Sequence, residues 1–168
     1  MYEAAVAVAV GLVATYGLAA LLVVFVLEGA LVGKLIPTRA LFIATVLAVG
    51  SDMFGLASVA LVAVVGATLG QLVLFTLVRR TEVPFDSLPG LSDPADEPWL
   101  QRWLDRWGLT AIALSNSLPL ARGSLTVPAA MTDENVVWFS AFSMVGSSVY
   151  AVGLVAVAVG VDAATTLL

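Results

Sequence analysis

Arginine in the middle of an apolar segment is the feature of this sequence that could do chemistry. The stretch from Gly108 to Met131, GLTAIALSNSLPLARGSLTVPAAM, is long and apolar enough to enter a bilayer, yet Asn116, Pro119 and Arg122 lie near its centre. A guanidinium at bilayer depth costs about 2.5–3.5 kcal/mol even on the gentler insertion scales, so such a residue calls for a functional reason. A second stretch, EGALVGKLIPTRALFIATVLAVGSD, begins at Glu28 and carries Pro37 followed by Arg39. The planar fork of arginine donates parallel hydrogen bonds and stays charged at any relevant pH, which suits a phosphate. Arg39 and Arg122 are therefore expected to meet near the bilayer midplane and hold an anionic lipid headgroup, with Asn116 as a further donor. Glu28 would balance charge and exchange a proton during a transport cycle. In the alternative reading, Glu28 forms a buried ion pair with Arg39 or Arg122 that merely joins two segments; because desolvation can outweigh attraction, such a pair is weak evidence of stabilisation.

The elements that position these residues follow from proline and hydropathy. Pro119 lacks an amide hydrogen and disfavours helix at Leu118, so residues 108–131 should break near the middle, with Gly123 marking the far side of the break. Backbone groups freed there need protein or water, which favours a re-entrant hairpin over a spanning helix. Residues 28–50, with Pro37 at their centre, read as a second hairpin. The other reading is an ordinary span with Lys34 and Arg39 snorkelling at one end. Paired broken segments in two halves point to a binding site at the midplane.

Around them, residues 4–27 are an uncharged run, about 36 Å as helix and long enough for a ~30 Å hydrocarbon core. No basic segment precedes it, so it reads as a retained spanning helix. Residues 54–78 form the next span, capped by Asp52 and stopped by Arg79 and Arg80. Gly66 and Gly70, with Ala63 and Ala67, should admit another helix backbone closely, and Gln71 should hydrogen-bond across helices. Residues 79–98 turn polar, with four prolines and five acids, and read as a loop outside the bilayer. Asp93, Asp96 and Glu97 there are read as solvated charge, since flexible acidic loops bind hard cations poorly. Residues 97–107 form a short interfacial helix with Trp99, Trp103 and Trp107 on one face. Residues 134–160 give the last span, containing Trp138 and Tyr150. Arg79, Arg80, Arg102 and Arg106 put the central loop in the cytoplasm of a multi-pass cell-membrane protein. The amino terminus would then be cytoplasmic, the two hairpins would enter from opposite sides, and the carboxyl end would be external.

Composition agrees. Of 168 residues, 61% are hydrophobic and 11% charged, against about 25% charged in soluble domains, and the mean hydropathy is +1.06. The fold class is all-α: one polytopic domain with spanning helices around two opposed re-entrant hairpins. The absence of Cys and His removes disulfides, most zinc sites and any Ser-His-Asp hydrolase. No catalytic set, cofactor or metal is expected, and no nucleic-acid partner; small residues on the helices permit a homodimer without requiring one.

Asn116-x-x-Pro119-x-x-Arg122-Gly123, followed by Pro128-Ala129 and Met131, resembles the DedA family of membrane proteins, also called SNARE-associated or VTT-domain proteins. Glu28-Gly29 with Pro37 looks like that family's first re-entrant segment, Gly66 to Gly70 like its G-A-x-x-G helix, and Trp107-Gly108 like the start of its second hairpin. The resemblance implies opposed hairpins and lipid transport. Bacterial relatives are associated with returning polyprenyl-phosphate carriers or phospholipids to the inner leaflet and with proton-motive force, eukaryotic relatives with scrambling. By this resemblance Glu28 matches the family's acidic residue and Arg122 the second arginine of its R-x-x-P-x-x-R-type motif. Asn116 stands where the first arginine is common, and Arg39 where an acid is common. The expected function is a flippase or scramblase for anionic phospholipid or polyprenyl phosphate, with protons as a further partner. A proton-coupled exporter of small cations or solutes and a non-transporting scaffold are the alternatives.

Overall fold

The computed structural model describes residues 11–13, 15–30, 38–49, 52–81, 98–119 and 121–166. Pro37 and Lys34, residues 4–10 and most of the expected loop lie outside the described residues. Seven helices are described: α1 (Leu18–Gly29), α2 (Thr38–Val49), α3 (Met53–Thr81), α4 (Pro98–Trp107), α5 (Leu109–Ser117), α6 (Thr126–Ala130) and α7 (Val136–Thr166). Among the described residues regular structure is entirely helical.

The frame is α3 and α7, the two helices long and apolar enough to cross a membrane. They run antiparallel. Phe75 stacks on Phe139 at a ring separation of 4.3 Å, Gln71 meets Ser143, and farther along Val59 and Ala63 share a buried cluster with Ala158. Apolar side chains also cover the outside, with Leu61, Leu69, Val73, Val145, Val149 and Val152 exposed. Helices hydrophobic all round need an apolar surrounding medium.

α1 lies on α3 through backbone contact. A methyl group on Gly70 would collide with the carbonyl of Val26 and stand 2.8 Å from Ala30 N, and one on Gly66 would stand 2.9 Å from Leu22 O. The reciprocal contact seats Gly29 against Ala67 and Gln71. The close approach expected at Gly66 and Gly70 therefore has a partner, residues 22–30. α1 continues through Glu28 and Gly29, past the point where the charge was expected to end it, because that seat favours continued helix. Toward its other end the run is interrupted at Gly17, where φ is +57°.

Residues 108–131 are broken. α5 ends at Ser117, Leu118 is extended (φ −98°, ψ 128°) as the residue before a proline prefers, and a run of turns leads to the wholly buried α6. Arg79 caps α6, donating from Nε to Ala130 O (3.3 Å) and from Nη2 to Thr132 O (2.5 Å). It thus supports the fold besides contributing to the basic cluster. Trp99 and Trp103 share one face of α4, their rings edge to face at 5.8 Å. Trp103 packs with buried Leu104 against the cluster of Leu74, Phe75 and Phe139, whereas Trp99 and Trp107 are more exposed. Helix α4 is short and its apolar stripe wide, so part of that stripe docks on protein.

Gly70→Val should destabilise the protein by about 1–3 kcal/mol or more, as overpacking does, measured by thermal unfolding in detergent. Gly153→Ala, where nothing lies within 4 Å, should be neutral or stabilising, by up to about 1 kcal/mol.

Candidate functional site

Two segments far apart in sequence, carrying Arg39 and Arg122, converge on Tyr150 of α7, which is 6% exposed. Arg39, in the first turn of α2, donates from Nε to the Tyr150 hydroxyl (3.0 Å) and from Nη2 to the carbonyl of Pro119 (2.6 Å). The break at Pro119 therefore supplies an acceptor that an unbroken helix would have used itself. Arg122 lies over the face of the same tyrosine, its guanidinium carbon 4.1 Å from the ring centre and 5.9 Å from that of Phe25 on α1. Cation–π attraction holds a guanidinium without consuming its hydrogen-bond donors. Arg122 Nη1 is buried and has no hydrogen-bond partner among the described residues.

Glu28 is close to this group but is not its counter-ion. Its Oε1 accepts from the Thr38 hydroxyl at 3.0 Å, and Oε2 is buried without a partner among the described residues. Among the described residues no hydrogen bond or ion pair joins Glu28 to Arg39 or Arg122, so the alternative reading, a buried ion pair joining the segments, has no support there. Buried polar atoms are nearly always bonded, and an unpaired one costs about 1–3 kcal/mol.

Asn116 has a different place from the one expected. Its Nδ2 donates to Gln71 Oε1 (2.9 Å) and Ser143 Oγ (3.3 Å). Its Oδ1 accepts from Gln71 Nε2 (3.0 Å) and from the backbone amide of Gly123 (3.0 Å). Two donors and two acceptors exhaust a carboxamide, which leaves none for a headgroup. Asn116 is a positioning residue: it fixes the amide of Gly123, which has φ +75°, a value glycine adopts readily, and so fixes the residue before it, Arg122. Gln71 bonds across helices as expected. Ser143 completes the network by donating to Gln71 Oε1.

The sequence reading missed Tyr150, Thr38 and Ser143 as participants. The signal was present on α7, where Ser143, Ser147 and Tyr150 recur every three or four residues, a polar stripe down one face of an uncharged helix. Nothing local distinguishes Thr38 or Phe25. Among the described residues no group of three acidic side chains could hold a metal ion.

If the amide pair joins α3 to α5 as a unit, Asn116→Ala and Gln71→Ala should each destabilise, and their costs should fall short of additivity in the double variant. Coupling of about 0.5–3 kcal/mol is typical of contacting residues. Denaturant unfolding of the four proteins in micelles measures it.

The family model of the VTT domain matches residues 36–160, from just before α2 to near the end of α7. Arg39, Asn116, Arg122 and Tyr150 lie inside the match, Phe25 and Glu28 outside it. No curated protein and no solved structure matches the chain. With the match covering most of its length, the chain belongs to the VTT-domain family, the DedA or SNARE-associated domain.

Proposed function

We propose that this protein is a membrane lipid transporter, a flippase or scramblase that carries the anionic headgroup of a phospholipid or polyprenyl phosphate across the bilayer. One observation carries the reading: two guanidiniums from separate segments share one tyrosine, and among the described residues neither is paired with a carboxylate and the buried Arg122 Nη1 has an unused donor. Arg39 is exposed and Arg122 half-buried, and two cations held against one tyrosine repel one another. An oxyanion between them would relieve that repulsion and satisfy the donor, while its hydrocarbon chain remained in the bilayer.

In this reading α5, the turns after it and α6 form a re-entrant hairpin. The stretch ending in α2 forms its opposed counterpart, and the two bring Pro119 and Arg39 together near the midplane. The multi-pass cell-membrane placement and a cytoplasmic central loop belong to the same proposal. So does the absence of catalysis, for a chain without His or Cys offers no plausible catalytic set. The unpartnered Glu28 Oε2 favours a second reading, a proton-coupled exporter of small cations. Lipid-headgroup accessibility assays and solute-driven pH changes in vesicles separate the two, and inactivity in both would favour a scaffold.

Charge-assisted hydrogen bonds contribute about 1.5–3 kcal/mol, so Arg122→Ala should slow headgroup-labelled lipid transport in vesicles about ten- to a hundredfold. Arg122→Lys should restore only part of the rate because a point charge cannot reproduce the fork. Wild-type rates in Arg122→Ala would remove the assignment. Because the chain lacks cysteine, single introduced thiols report topology cleanly: Thr81→Cys should react with an impermeant maleimide only from the cytoplasmic side and Met53→Cys only from the outside.

A further inference from the structure

We infer that Thr68 and Ser147 supply, with Arg122, the inner donors of a phosphate site, and that the lipid's tail leaves through the apolar groove between α3 and α7. This rests on the lipid-transport reading and extends it to residues and a route that reading does not contain.

Four buried side-chain atoms lack hydrogen-bond partners among the described residues: Glu28 Oε2, Thr68 Oγ1, Arg122 Nη1 and Ser147 Oγ. The two hydroxyls belong to side chains that are almost wholly enclosed, Thr68 at 6% and Ser147 at 0% exposure. A serine or threonine in a helix has a ready acceptor in the carbonyl four residues back. Thr45, Ser58, Thr76, Ser140 and Ser148 all use it, at 2.7–2.8 Å. Thr68 and Ser147 make no such bond, although both lie within regular helices.

Helix register sets Thr68 opposite Ser147 and brings Arg122 and Glu28 to the neighbouring turns. Phe75 faces Phe139 and Gln71 faces Ser143 across the antiparallel pair. One turn farther, back along α3 and forward along α7, are Thr68 and Ser147. Tyr150, three residues beyond Ser147, carries Arg122 on its ring. On the other side Gly29 seats on Ala67 and Gln71, which brings Glu28 to the level of Thr68. Two neutral hydroxyl donors beside a guanidinium N–H form a donor set for a tetrahedral oxyanion. Glu28 Oε2, a carboxylate oxygen, can accept from a hydroxyl of Thr68 or of the headgroup.

The tail's route begins at the next turn. A groove of about 310 Å³ between α3 and α7 is lined by Leu61, Val64, Met144, Ser148, Ala151 and Val152 among others, within the range of about 300–1,000 Å³ typical of ligand pockets. Val64 is one turn from Thr68, and Ser148 and Ala151 flank Ser147 along the helix. The hydroxyl of Ser148 is turned back onto Met144 O, so the lining offers hydrocarbon. Leu61, Met144 and Val152 are exposed, which opens the groove to the outer face of the helix pair. A single hydrocarbon chain attached to a phosphate at the Thr68 level fits this sequence of surfaces.

The test is photolabelling of the full chain in phosphatidylcholine vesicles with trace phosphatidylglycerol carrying a diazirine in its acyl chain. Diacylglycerol with the same tail serves as the probe without a phosphate. Phosphatidylglycerol should label Val64, Met144 and Ser148 in preference to exposed residues elsewhere, and diacylglycerol should show no such preference. Thr68→Val with Ser147→Ala, both close to the original volume, should lower the phosphatidylglycerol signal there by about fivefold or more, as expected for losing one or two hydrogen bonds. Labelling by diacylglycerol should be unchanged, which also reports an intact groove. Even labelling along the exposed belt, or an undiminished signal in the double variant, would overturn the inference. Equal displacement of the probe by inorganic phosphate and by unlabelled phosphatidylglycerol would show a site for the free anion and overturn the lipid assignment. Loss of transport in Arg122→Ala with an unaffected double variant would sink this inference alone; wild-type transport in both would sink the transport reading as well.

Discussion

Gln71 and Asn116, 45 residues apart, hold each other's amides in a region where neither is more than 1% exposed. In such surroundings an unpaired amide is costly, so the pair acts as a lock: the helices carrying it can adopt few arrangements that leave both satisfied. Through this lock α3 is fixed to α5, through Ser143 to α7, and through the Gly123 amide to the turn that presents Arg122. Any displacement of α5 against α3 would break several bonds together. That cooperativity lets a segment interrupted at Pro119 keep a defined shape.

The second constraint is the management of positive charge. Arg39 is held by oxygen atoms, the tyrosine hydroxyl and a carbonyl released by the helix break, whereas Arg122 is held by aromatic faces. These are two different uses of one tyrosine, and neither neutralises a cation. A carboxylate in the same place would have paired with the guanidiniums and left little for an incoming anion. Glu28 is instead turned to the Thr38 hydroxyl. The region thus keeps a net positive character under the lipid-transport reading, stabilised by dipoles and rings that an anion can supplement without displacing an internal counter-ion.

Close packing of backbones supplies the third. In hydrocarbon surroundings the hydrophobic effect does not drive helices together, so contact depends on fit and on internal polar bonds. Gly29, Gly66 and Gly70 bring α1 onto α3, and Gly146 does the same for α7 and α5, where a methyl group would meet the Ala113 carbonyl and stand 2.7 Å from Asn116 Cβ. These approaches narrow the interior to the width that the amide lock and the shared tyrosine require.

Much of this was legible in residues taken locally. Hydropathy without compensating charge gave an all-helical chain on the scale of a membrane, proline chemistry gave the break at Leu118 and Pro119, and the spacing of Gly66 and Gly70 gave a close helix contact. The isolated amide of Gln71 gave a bond across helices, and the Asn116 to Gly123 string gave the family. Other residues were legible only as types. Asn116 was expected to face a ligand and instead faces Gln71; Glu28 was expected to offset an arginine and instead accepts from Thr38; Trp103 lies in the expected stripe beside Trp99, but docks on protein. Tyr150 had no assigned role and receives both arginines. The division has one physical cause. A missing amide hydrogen, a missing Cβ or an apolar run acts on its own neighbours in the chain, so its effect can be read in place. Which donor meets which acceptor across 45 or 111 residues depends on the register of antiparallel helices, and that is decided only when they pack.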